Sequence, residues 1–194
     1  MNKILLWIFE KSSLRMIVGR KMTKVISELT YKIVAFTEIQ PVDTNESIDW
    51  AIEMMELGFE SPTLHMLAGF NKPTNYFEVI DYVTDTVKEL GFEMKNGDDA
   101  ILSYASYYVH QIAKSQKVRE NLTDLYNFCQ MRDYEDFVYD FYLLYWAWDD
   151  LDYEDNEHNH YWEGARRANI DKIVVDEANK WIQKNKKHYA QQGV

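Results

Sequence analysis

The stretch "IDWAIEMMELGFESPTLHMLAGFNKPTNYFEVIDYVTDTVKELGFE" (48–93) decides the fold. Ile48, Ala51, Ile52 and Met55 recur at helical spacing, and their run stops at Gly58. Just upstream, "DTNE" (43–46) reads as a helix start: Asp43 can accept from a free backbone N–H, with Glu46 three residues on. "SPT" (61–63) opens a second helix, with Ser61 as cap and Pro62 at the first helical position, where a missing N–H does no harm. That helix ends near Gly69. Lys72–Pro73 is a turn, and Asn75 with Glu78 forms another capping box for a helix that ends at Gly91.

The pentapeptide ELGFE appears twice here, at 56–60 and 89–93. Helical-hairpin repeats have periods of about this length, roughly 34 residues in the tetratricopeptide class. The same letters also describe a local helix end, with Gly58 and Gly91 left-handed and Phe59 and Phe92 folded back on the last turn. There is no third copy, and the Trp–Leu–Gly–Tyr signature of that class is missing.

Working outward, the helical period continues. Val25, Ile26, Leu29, Ile33 and Val34 make one stripe; helices are expected over 98–114, 117–130 and 134–149, and Asn169 caps a last one through about Lys184. With only 7 Gly and 3 Pro, the chain lacks the turns of a β sandwich. The expectation is all-α: one domain over 23–194, about seven helices packed as helical hairpins, with a short TPR- or HEAT-like array as the alternative. Residues 1–22 stand apart. Lys3, Lys11, Arg15, Arg20 and Lys21 make them basic in an otherwise acidic chain, so they read as an extension before a true start at Met16 or Met22, or as a loosely attached helix. The apolar run Ile4–Phe9 is too short for a signal peptide or a bilayer span.

A formal net charge of −11 opposes binding to phosphate backbones and anionic membranes, and suits a basic protein partner. Cys129 is the only cysteine, which rules out an internal disulfide and any multi-cysteine zinc site and fits a reducing, cytoplasmic setting. Its place in a stripe with Leu122 and Leu125 makes it core rather than nucleophile. No Gly-rich phosphate loop, G-x-S-x-G, CxxC or HExxH is present, so no catalytic residue is assigned.

Two segments carry candidate sites. In "DYEDFVYDFYLLYWAW" (133–148), Phe137, Phe141, Leu144, Tyr145 and Trp148 share one helical face, and Tyr139, Tyr142 and Trp146 lie toward the other. Such a helix is either packed on both sides or presents an aromatic patch to a protein or a sugar, with Tyr139 and Trp146 the residues that decide. "DDLDYEDNEHNHYWEG" (149–164) follows. Counted from Asp152 it approaches a calcium loop with Glu163 twelfth, but Glu157 stands where the sharp-turn glycine belongs. His158 and His160 share a face only on an extended segment; with Asp155 or Glu157, and a further ligand such as His110 or His65, they would suit a zinc or iron hydrolase. The plain reading is a solvated connection, with Arg166 and Arg167 offsetting its charge and Tyr161 and Trp162 anchoring it. As a binding surface for a basic partner it contributes Asp149, Asp150, Asp152, Glu154, Asp155 and Glu157 beside Tyr139 and Trp146. No cofactor is expected on that reading; a metal ion belongs to the alternatives.

The E-L-G-F-E-S-P core, the L-A-G turn and the Y-F-E-V helix start within 47–83, together with "YWEGARRANIDKIVVDEANKW" (161–181), resemble a family of small all-helical bacterial proteins with no assigned activity. The resemblance touches most of 45–183 and leaves 1–22 outside. It implies an uncharacterised bacterial protein, and its small acidic character resembles immunity proteins that neutralise toxins. The functional expectation is therefore non-enzymatic protein–protein binding of an immunity or adaptor kind.

Overall fold

The computed structural model describes residues 25–153 and 158–189, with side chains through 186. The expectations for the basic extension and its start fall outside this range. Among the described residues there are eight α-helices, one 3-10 turn and no strand, so the chain is all-α, with one more helix than the sequence suggests.

The helices are α1 (Thr30–Ile33), α2 (Thr44–Glu56), α3 (Pro62–Ala68), α4 (Tyr76–Glu89), α5 (Gly97–Ala113), α6 (Val118–Met131), α7 (Tyr139–Asp152) and α8 (Ile170–Tyr189). Their ends follow from side-chain chemistry. Ser61 Oγ accepts from Leu64 N at the start of α3, and Asn75 and Glu78 complete a reciprocal box at the start of α4. Asp43 does cap α2, accepting from Asn45 N at 2.9 Å. Glu46 does not reach back to close a box there, because it pairs with Lys32 instead.

The ELGFE echo has a local cause. Phe59 N donates to Met54 O and Gly58 N to Met55 O; Phe92 N donates to Val87 O and Gly91 N to Lys88 O. These are two Schellman ends, with Gly58 at φ 79° and Gly91 at φ 78°. Phe59 and Phe92 then meet each other at 6.4 Å between ring centres.

The first stripe departs most from expectation. Only Thr30–Ile33 is α-helical, and residues 34–39 continue mainly in tighter turns such as Phe36 N to Ile33 O and Glu38 N to Ala35 O. β-branched Thr30, Ile33 and Val34 propagate a helix poorly. The segment is instead held by tertiary bonds: Ser103 Oγ donates to Tyr31 O at 2.9 Å, and Lys95 N to Val34 O at 2.7 Å.

Buried apolar residues form two clusters. One joins Trp50, Met54, Leu64, Leu67, Val79 and Val83 across α2, α3 and α4. The larger joins α5 to α8 around Leu102, Val109, Leu125, Phe141, Leu144 and Val174. The segment 29–39 feeds both, and Tyr107 packs against both. Among the described residues, helices α5 and α8 share the most extensive contact. A last tie runs from Trp181 Nε1 on α8 to Phe137 O, at 2.6 Å, in the 3-10 turn Asp136–Val138 that precedes α7.

Candidate functional site

Helix α7 has two faces of different kinds. Phe141, Leu144, Ala147 and Leu151 are buried and form its core side. The sequence places Tyr145 and Trp148 on that side too, but both remain partly exposed at its edge. Both pack against the core there, and Tyr145 also stacks on Tyr126 of α6, with ring centres 3.9 Å apart and planes 17° from parallel. An α-helix turns far enough per residue that positions one apart diverge, so Leu144 fills the core while Tyr145 sits at the boundary.

From Tyr126 an aromatic row extends in both directions. Tyr142 stacks on Tyr126 at 5.4 Å, and Tyr139 stacks on Tyr142 at 5.4 Å. Tyr134 meets Tyr142 edge-on at 5.4 Å. On the other side Trp146 touches Tyr126 and Tyr145 edge-on, and Tyr161 stacks on Trp146 at 6.0 Å. Every ring in this row keeps some contact with solvent; Tyr139 is 39% exposed, Tyr161 42% and Tyr134 50%. The crowding has an electrostatic trace. Partial desolvation, with the neighbouring phenols of Tyr145 and Tyr142 adding to it, raises the Tyr126 hydroxyl above its ordinary pKa.

Carboxylates border one end of the row. Arg119 lies there, its guanidinium carbon 4.9 Å from the centre of the Tyr145 ring and 5.2 Å from that of Trp148. Its Nη2 pairs with Asp152 at 3.1 Å and with Asp149 at 3.7 Å. Asp149 and Asp150 are half-buried and Asp152 is exposed. Glu154, Asp155 and Glu157 lie outside the described residues.

From residue 158 on, the connection folds back on its own backbone. Asn159 Oδ1 accepts from Tyr161 N and from Trp162 N at 2.7 Å, and its Nδ2 donates to Ala165 O. Asn169 does not cap α8 with its side chain; its Oδ1 turns back to accept from Arg166 N, and its Nδ2 donates to Gly164 O. Arg167 reaches back to the end of α7. It donates to Leu151 O at 2.8 Å and Tyr153 O at 2.6 Å, where the carbonyls of α7 run out of helical partners. Trp162 packs on the core as expected, whereas Tyr161 belongs to the surface row.

His158 and His160 are both exposed, and Asp155, the third member of the expected metal set, is not described. His65 is exposed on α3; His110 stacks on Tyr31 and holds Ser106 O with Nδ1 at 2.7 Å. Among the described residues no group of three or more His, Cys, Asp or Glu is placed to hold a metal ion. Cys129 is fully buried, and desolvation, with Glu135 and Asp136 nearby, pushes its thiol up to about 11, the opposite of what a nucleophile needs.

One polar cluster was not foreseen. Lys32 is buried, donates to Glu46 at 2.6 Å, and has its ammonium 5.2–5.4 Å from the ring centres of Tyr104, Tyr107 and Tyr108. Burial pushes the Tyr107 and Tyr108 hydroxyls above their ordinary pKa, and raises the Asp124 carboxyl although Lys32 pulls it down. The cluster sits where the two apolar clusters meet and reads as a lock between them. A spacing of one, three and four in "YASYY" (104–108) is its only sequence signal.

No model of a known protein family matches the chain, and no similar curated protein or solved structure was found.

Proposed function

We propose that this is a bacterial, non-catalytic binding protein, of the immunity or adaptor kind, whose α6–α7 face takes a basic segment of a partner protein. One observation carries the reading: the continuous row of tyrosine and tryptophan rings stays partly exposed at the surface, with Tyr134, Tyr139 and Tyr161 the most open. Most folds bury such rings, since each offers a large apolar area. A contiguous aromatic surface with a charged border has the composition of a recognition site. The charge supports the same reading. At −11 the molecule attracts cationic partners over a distance, and Asp149, Asp150 and Asp152 put carboxylates beside the rings.

The test is a titration with a peptide of mixed lysine and arginine, followed by tryptophan fluorescence and by shift mapping in NMR spectra. Saturable binding with shifts centred on Tyr139, Tyr142, Trp146 and Tyr161 is expected, weakening as salt is raised. The variant Tyr139→Ala with Trp146→Ala should lose it while keeping the native helical content. Shifts scattered over the whole surface, or binding untouched in that variant, would remove the reading.

A further inference from the structure

We propose that the side chain this face selects is arginine rather than lysine, the guanidinium lying flat on an exposed ring of the row. The inference rests on the proposed binding function and narrows its ligand.

The chain itself holds two cations against aromatic rings, in two different ways. Lys32 is a compact ammonium, and three rings, Tyr104, Tyr107 and Tyr108, surround it at similar distances with Glu46 as counter-charge. Arg119 needs no box. It lies over Tyr145 and Trp148 at the end of the row, and its Nη2 reaches both Asp149 and Asp152 at the border. A planar guanidinium can stack on one ring and still use its edge for carboxylates, whereas an ammonium keeps its water unless several rings replace it.

The open part of the row has the second geometry. Tyr139 and Tyr142 are stacked 15° from parallel, Tyr126 and Tyr142 13°, and Trp146 and Tyr161 27°. These are two near-parallel series that stand edge-on to each other, Trp146 meeting Tyr126 at 84°, and each ends in an exposed ring, Tyr139 in one and Tyr161 in the other. Arg119 thus shows, inside the molecule, the cation that such a wall accepts. From Tyr139 to the border carboxylate Asp152, α7 runs about 20 Å, the reach of about six residues of extended chain. The occupant is an arginine-bearing segment of a partner protein, and the net charge of −11 complements it.

Two peptides of about six residues, alternating glycine with arginine or glycine with lysine, have equal charge and length. Each is titrated into the full chain at about 150 mM salt. The arginine peptide should bind about tenfold more tightly, and the preference should fall to within about twofold in Tyr139→Leu with Tyr142→Leu, which removes ring faces but keeps apolar bulk. The single variant Tyr139→Ala, at a surface position, is measured beside it so that a folding defect in the double variant is not mistaken for lost binding. Equal affinities would overturn the arginine assignment and leave basic-partner binding standing. If neither peptide binds, both fall. Retention of the preference in both variants would also overturn it, as would displacement of the arginine peptide by cellohexaose, which would make the row a sugar platform.

Discussion

The rings of Tyr126 on α6 and Tyr145 on α7 lie 3.9 Å apart and nearly parallel, and this contact joins the two helices at the surface rather than in the core. Tyr126 also stacks on Tyr142, so it is the hub of the row. Stacked pairs contribute about 0.5–1.5 kcal/mol beyond the area they bury. Tyr126→Leu should therefore lower stability by about 1–2 kcal/mol in urea denaturation. Tyr139→Ala, at the open end of the row, should cost under about 0.5 kcal/mol. Equal losses in the two variants would mean that the row is not organised around Tyr126.

The Lys32–Glu46 pair predicts an asymmetry. Glu46→Gln leaves an ammonium buried among tyrosines without its nearest counter-charge. The Lys32 side chain is 9% exposed and that of Glu46 27%, so solvent relieves only part of the cost, and about 2–3 kcal/mol is expected. Lys32→Met removes the buried charge and fills the tyrosine box with an apolar chain, and should cost less than about 1 kcal/mol. Denaturant midpoints of the two variants check this, and the reverse order would refute the account of the lock.

The two glycines of the ELGFE segments predict a local effect. At φ 79° and 78°, Gly58 and Gly91 sit where an added Cβ strains the backbone. Gly58→Ala and Gly91→Ala should each lower stability by about 1 kcal/mol with an unchanged denaturant slope. A cost near zero for either would mean that its helix end does not depend on the left-handed glycine.

Those helix ends were legible in the sequence because capping and termination are local. Ser61, Asn75, Gly58 and Gly91 act within a few residues of themselves, and so the order of elements could be read. What could not be read depends on partners far along the chain. Nothing in Arg119 announces a seat on Tyr145 and Trp148, residues 26 and 29 positions away. Lys32 would ordinarily be given to solvent; its burial needs Glu46 on α2 and three rings from α5. Periodicity grouped Tyr145 with Phe141 and Leu144 on one face, because it cannot tell a buried position from the boundary beside it. The aromatic patch was half legible: Tyr139 and Trp146 stood out on α7, but Tyr126, which makes a row of them, comes from another helix. The turn at 159–169 reads as charged loop in composition, and its order comes from two asparagines folding back on their own backbone.

Alkaline pH should unfold the protein earlier than its composition alone suggests. The Cys129 thiol is buried, and its pKa rises from 9.0 to about 11 in the folded chain. A group raised on folding stabilises fully below its unfolded pKa, and that contribution fades as pH climbs to the folded value. The unfolded chain releases this proton first, so the slope of stability against pH is negative between about 9 and 11. The loss from this group is on the order of 2 kcal/mol. Tyr31, Tyr107, Tyr108 and Tyr126, all raised, extend the decline to higher pH. Cys129→Ala should start less stable through a small cavity but lose less between pH 9 and 10, where the thiol dominates. Urea midpoints of both proteins at half-unit steps of pH measure the difference. Parallel curves from pH 8 to 10 would show that the thiol proton is not held more tightly by the fold.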